Sequence, residues 1–415
     1  MKKALGIVAA LAAAAGIVSG CATSSPPSPP SSAPLKLGYL LPETGRLAFV
    51  GPPMISGVQF AVAEINAAGG VLGHEVELLR GDEADDPDRA REEASRLLSS
   101  GVHGIVGAAA TGMTLSVIDD VTGAGVVQCS PSNTGIGLTT YPDGGYYFRT
   151  APSDAVQAPV LADLVAEAGH TTVAIAARDD AYGVPFLEQV RRSLAAHGVT
   201  VVLEQVYDPE GGAFGSVSEA MVESGADAYV MLSFLEGAPI IQGLLDSGVE
   251  ARHVFGADGI AGAAFADNFA SPAVLEGMRV TVPTAFVPES FEARLLEFNP
   301  ELVDFLFSPN AYDCVNVMAL AATVAGSTAS ESMRDRMIAV THGDNACTTF
   351  AECMAFVEAG ESIAYQSAVG IPLNFMEVRE GGGEPSRAWI ETSTWENGAY
   401  RSTGLRVGDV LDVGD

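Results

Sequence analysis

From Leu35 onward, short apolar runs alternate with longer segments whose apolar residues recur at helical spacing. That alternation predicts an α/β chain with parallel sheets, because a parallel crossover needs a dozen or more residues and a helix supplies them. LKLGYLL (35–41), HEVELLR (74–80), VHGIVG (102–107) and VVQCS (126–130) read as strands of a first series. Helices are expected from about 53 to 67, from Pro87 through PDRAREEASRLLSS, and from Thr111 to Thr122. Prolines 52, 53 and 87 suit first helical turns, and Gly69-Gly70 suits a stop. A second series starts at Ala151, with strands TTVAIAA (171–177), TVVLEQVY (200–207), ADAYVMLS (226–233) and HVFGAD (253–258). Its helices run from Val184 to His197, Ala213 to Ser224 and Ala238 to Ser247. MRVTVPT (278–284), a helical stretch around 311–326 and strand-like pieces after Ile371 follow. Residues 35–415 exceed what one hydrophobic core supports, so the chain is expected to form two lobes with several crossings between them. In such a sheet a ligand sits at the carboxyl ends of the strands, in the cleft.

The first 34 residues have a different character. Lys2 and Lys3 precede an uncharged run from Ala4 to Gly16, which ends in Val18-Ser19-Gly20-Cys21. A basic start, a short apolar core and small residues describe a secretory signal, with an apolar run too short to span a bilayer. The cysteine after a hydrophobic-small-small triplet resembles the bacterial lipobox, so residues 1–20 are expected to be removed and Cys21 lipidated. TSSPPSPPSSAP (23–34) then reads as a stiff tether. The expectation is an extracytoplasmic protein, lipid-anchored to the outer face of the cell membrane.

The chain holds 21 basic and 52 acidic residues, a formal net charge of −31. Such a field repels nucleic acid and anionic head groups. Cys347 and Cys353, in CTTFAEC, are close enough to staple a short loop, which export permits. Cys129 and Cys314 lie in an apolar strand and an apolar helix and are expected to be small buried residues.

Catalytic signatures fail. His74-Glu75 lacks a second His at position 78, there is no G-x-S-x-G elbow, and Gly135-Ile136-Gly137 lacks a dinucleotide-loop context. No enzyme activity, metal or cofactor is expected. What remains is polar residues at strand ends. GAAATGMT (107–114) places Thr111 as a helix N-cap beside unpaired backbone N–H groups, which either caps its own helix or offers a carboxylate site. SPSNT (130–134) supplies a second polar turn.

Together with INAAGGVLG (65–73), YYFRTAPSD (146–154), DDAYG (179–183) and VFGADG (254–259), these motifs resemble the branched-chain amino acid-binding proteins that serve ABC importers. The resemblance runs from about Lys36 to the tail. It implies two Rossmann-like lobes joined by three hinge crossovers: residues 35–150 with about 283–385, and 151–282 with about 386–410. It implies that Thr111, Ser132 and Thr134 hold a ligand head group, that Tyr182 covers it, and that Asp258 pairs with an ammonium. Phe234 falls near an aromatic position, Arg46, Phe49 and Val50 replace an expected Tyr, and Arg149 is structural. The implied partners are a small solute, an amino acid or a similar small carboxylate, and ABC permease subunits, the protein itself being a monomer. A sensor of the same fold and a cell-surface hydrolase are the other readings, and neither has a motif of its own.

Overall fold

The computed structural model describes residues 33–378 and 382–409; Cys21 and the signal and tether segments lie outside them. In chain order the elements are β1 (Lys36–Leu40), α1 (Gly51–Ala67), β2 (Glu77–Leu79), α2 (Pro87–Ser99), β3 (Gly104–Gly107), α3 (Thr111–Gly123), β4 (Val127–Ser130) and β5 (Tyr147–Arg149). Next come α4 (Asp154–Glu167), β6 (Thr172–Arg178), α5 (Gly183–Ala196), β7 (Thr200–Tyr207), α6 (Phe214–Glu223), β8 (Ala228–Leu232), α7 (Gly237–Asp246), β9 (Val254–Gly256) and β10 (Arg279–Val282). The rest are α8 (Glu289–Phe298), α9 (Ser308–Ala325), α10 (Ser330–Met337), β11 (Asn345–Cys347), α11 (Phe350–Glu358), β12 (Ile363–Tyr365), β13 (Phe375–Glu377), β14 (Gly383–Pro385), β15 (Arg387–Glu396) and β16 (Ala399–Asp409).

Two seven-stranded sheets carry the fold, in the orders β2-β1-β3-β4-β5-β14-β13 and β7-β6-β8-β9-β10-β15-β16. The first five strands of each are parallel, as helical crossovers require. Both end in antiparallel pairs, β13 with β14 and β15 with β10 and β16. The chain passes from one sheet to the other after β5, after β10 and between β14 and β15. The central strands β3, β4 and β8 are buried along their whole length, the expected outcome for strands covered on both faces.

Asn310 at the start of α9 fastens two of these passages. Its side chain donates to the Thr150 carbonyl at 3.1 Å and accepts from the Thr284 hydroxyl at 3.0 Å. The Thr150 hydroxyl returns a bond to the Asn310 carbonyl at 2.9 Å. These bonds hold the starts of the crossovers after β5 and β10 against α9.

One expectation needs correction, and two features go beyond the sequence reading. Cys129 and Cys314 are not free: they form a disulfide that ties β4 to α9 across a sequence separation of 185. The apolar surroundings that make each a small core residue are the same core, so the two sulfurs meet inside it. Thr111 is not the N-cap of α3; Ala110 takes that place, extended and without a side-chain cap, and Thr111 is the first helical residue. A helix also fills 154–167, where the sequence showed none, begun by the Ser153 hydroxyl accepting from Ala155 N–H at 3.3 Å and tolerating Pro159 inside. Cys347 and Cys353 are bonded to each other.

Candidate functional site

At the carboxyl ends of β3 and β4 the backbone is fastened group by group. Glu83, fully buried, accepts from the N–H of Ala109 at 2.7 Å and of Ala110 at 3.2 Å. The Ala108 carbonyl accepts from the Ser130 hydroxyl at 2.7 Å and from the Asn133 amide at 3.1 Å, and the Ser132 hydroxyl donates to the Ala109 carbonyl at 3.1 Å. Burial pushes Glu83 up to about 8, against the two N–H bonds that favour its ionised form. The loop is thereby held still, with its polar groups used internally.

What stays open is the helix start. The first intrahelical bond of α3 runs from Thr114 N–H to the Ala110 carbonyl, so the N–H groups of Thr111, Gly112 and Met113 precede the ladder. The Thr111 hydroxyl, no longer needed as a cap, stands beside them and faces a cavity. A Cβ at Gly135 would lie 2.4 Å from the Thr111 methyl, so only glycine lets the β4 turn come this close.

The second lobe supplies the opposite wall. Just before α5 the Asp180 carboxylate accepts from the N–H of Tyr182 at 3.0 Å and of Gly183 at 2.8 Å, which fixes the backbone that carries the Tyr182 ring. Tyr182 stacks on Phe234 with centroids 5.2 Å apart, and the Arg178 guanidinium lies 3.7 Å over the Phe234 ring. The Asp258 carboxylate accepts from the Gln157 amide at 2.9 Å and the Tyr182 hydroxyl at 3.3 Å. Burial raises its pKa to about 6, although both donors pull the other way.

All six residues singled out by sequence (Thr111, Ser132, Thr134, Tyr182, Phe234 and Asp258) line one cavity of about 370 Å³, its mouth included. Leu47, Val50 and Phe307 add apolar wall. The cavity's only ionisable walls are Tyr182 and Asp258; no Lys, Arg or His lines it. Arg149 does not reach it: buried, it pairs with Glu384 and donates to the carbonyls of Asn133 and Gly135. No cluster of candidate metal ligands occurs among the described residues.

Asp154 is the residue that sequence reasoning missed. It opens α4, its N–H bonds to the Thr134 carbonyl at 2.8 Å, and both its carboxylate oxygens are buried without a hydrogen-bond partner. Burial first, then the charge of Asp258, raises its pKa, and the Arg149 charge opposes the rise. In sequence it is an ordinary first-turn acid, and nothing local announces its burial.

The two lobes also touch outside the cavity. Arg46 of the first lobe pairs with Glu210 of the second, and Arg178 of the second lies 3.8 Å from Asp85 of the first.

Comparison with known proteins agrees with this architecture. A family model described as periplasmic binding protein matches residues 34–359. A Leu/Ile/Val-binding protein homolog of Brucella melitensis is 27% identical over 301 residues, 71% of this chain and 80% of that protein. A leucine-, isoleucine-, valine-, threonine- and alanine-binding protein of Pseudomonas aeruginosa is 28% identical over 318 residues, 74% of this chain and 83% of its own. The crystal structure of LivJ from Streptococcus pneumoniae, a branched-chain amino acid transporter substrate-binding protein in complex with isoleucine, has the same fold. It superposes with a TM-score of 0.73 at 23% identity and covers 91% of this chain and 100% of that one. With the family model spanning most of both lobes, this chain belongs to the periplasmic binding protein family.

Proposed function

We propose that this protein is an extracytoplasmic receptor that captures an α-amino acid with a small apolar side chain between its lobes and delivers it to an ABC importer. The observation that carries the reading is the polarity of the cavity. On one lobe a helix N-terminus offers backbone donors, which the Thr111 hydroxyl can join as a further donor; on the other an ionised buried carboxylate offers only acceptors. A helix start and a hydroxyl bind a carboxylate without a basic side chain, and Asp258 is placed for an ammonium. A zwitterion bridges both walls and so favours the closed arrangement. Leu47, Val50, Phe234 and Phe307 suit an aliphatic side chain, in keeping with the ligands named for the relatives.

The test is a thermal-shift and calorimetric panel of the common amino acids beside benzoate, which has the carboxylate without the amine. A cognate amino acid at a hundred times its Kd is expected to stabilise the protein by about 2.7 kcal/mol, and benzoate to leave it unchanged. No response to any amino acid, or an equal response to benzoate, refutes the assignment. Thr111→Val is expected to weaken the cognate ligand by about 1.5–3 kcal/mol, the worth of a hydrogen bond to a charged group, without lowering the Tm of the empty protein. Unchanged affinity places the carboxylate elsewhere.

Delivery calls for proximity to the permease, which the Cys21 lipobox and the Ser/Pro stretch would provide by tethering. Labelling with a radioactive fatty acid is expected in the wild type and lost in Cys21→Ser. Persistent labelling in the variant removes Cys21 from that role.

A further inference from the structure

Phe307 precedes α9 with φ 57° and ψ 6°, the left-handed region that a bulky side chain adopts only where its surroundings hold it there. Its ring is buried and forms wall for two spaces at once: the candidate ligand cavity and a neighbouring vestibule of about 830 Å³, mouth included. The vestibule is acidic. Glu292, Asp304 and Glu391 line it, and no Lys, Arg or His does.

The segment leading to Phe307 is held from both lobes. Asp304 Oδ1 accepts from the N–H of Phe305 at 2.7 Å and of Leu306 at 3.0 Å, while Oδ2 accepts from Ala263 N–H of the second lobe at 2.7 Å. The neighbouring Gly262 has φ +95°, and a Cβ there would stand 2.6 Å from Asp304 Oδ2, so the approach requires glycine. Residues 304–307 thus form a strap between the lobes, and the last of them is the partition between the two spaces.

We propose that Phe307 is a specificity-determining residue that limits ligand side-chain length by closing the ligand cavity off from the acidic vestibule. The inference rests on the amino acid reading above. Replacing the ring by a methyl group joins the two spaces and leaves Thr111, Thr134 and Asp258 untouched. A long side chain that ends in a cation then enters a space walled by Glu292 and Glu391, where its charge meets carboxylates; an isoleucine side chain only loses contacts.

The experiment is calorimetric titration of isoleucine and lysine into the full protein, its Phe307→Ala variant and Phe307→Ala/Glu391→Gln. In the wild type isoleucine is expected to bind more tightly. In Phe307→Ala the lysine-to-isoleucine affinity ratio is expected to rise at least tenfold, and the added Glu391→Gln change to reverse part of that rise. Phe307→Leu, which is not β-branched and keeps more of the packing, is expected to shift the ratio in the same direction by less, and it decides the matter if the alanine variant does not fold. A ratio unchanged in both single variants, or lysine bound by the wild type as tightly as isoleucine, overturns the proposal and leaves the amino acid reading standing. Binding of neither amino acid by any of the proteins overturns the proposal, and the amino acid panel described above then decides whether the amino acid reading falls with it.

Discussion

Asp258→Asn is expected to weaken amino acid binding by about 2–5 kcal/mol, a loss of at least about 30-fold, while the protein stays folded. The asparagine oxygen still accepts from Gln157 and Tyr182, so the local packing survives. What is lost is the charge that would face an ammonium in a buried, water-poor site, where a charge-assisted bond is worth most. The pH dependence gives a second readout. Asp258 has its pKa raised to about 6 by burial and binds an ammonium only when ionised, so wild-type affinity is expected to rise between pH 5 and 7.5. The stability of the empty protein runs the other way. Glu83, Asp154, Asp258 and Asp313 all have raised pKa values, so over this window the folded state holds more protons than the unfolded one and stability falls as pH rises. Isothermal titration and urea unfolding across that window separate the two trends. A pH-independent affinity in the wild type, or an unchanged Kd in Asp258→Asn, refutes the role.

Arg149→Met is expected to cost about 3–5 kcal/mol of folding stability, because it strands a buried carboxylate. The Arg149 and Glu384 side chains are 1% and 3% exposed, and Nε donates to Glu384 Oε2 at 2.6 Å. The same guanidinium donates to the carbonyl of Gly135 at 3.0 Å and to the Thr139 hydroxyl at 2.8 Å. Arg149 ends β5 and Glu384 lies in β14, the next strand of the sheet, so the pair joins the last strand before one crossover to the last before another. The double variant Arg149→Met/Glu384→Met is expected to recover much of the loss, since apolar replacement of a whole buried ion pair is often neutral or better. Denaturant midpoints measure both. A loss below about 1 kcal/mol in the single variant contradicts the assignment.

How far the sequence alone reaches depends on the range of the interaction concerned. TVVLEQVY reads as a strand over 200–207, the bounds of β7, because alternation and β-branched residues act locally. The helix at 154–167 contains Pro159, a breaker by local rules, and its packing on β9, β10 and β15 of the second sheet holds it regardless. α3 starts at Thr111 as expected, but its cap is Ala110 and not Thr111, for a similar reason. Ala110 is a poor cap by type, but Glu83, distant in sequence, fixes the loop that leads into the helix by accepting from the N–H groups of Ala109 and Ala110. Cys129 and Cys314 carry no local mark of being partners, and only the meeting of β4 with α9 brings their sulfurs together.

The strand-end polar turns, the lobe grammar and the acidity are properties of the chain itself, since propensity, periodicity and charge need no tertiary contact. The tertiary structure decided which polar groups are spent and which are open. It used Glu83, Ser130 and Asn133 to immobilise the first loop and left the Thr111 hydroxyl facing the cavity. It buried Asp154 without a donor and set Phe307 between two spaces. Burial and close approach across hundreds of residues control these choices, because desolvation acts on whatever the fold brings together and not on neighbours in sequence.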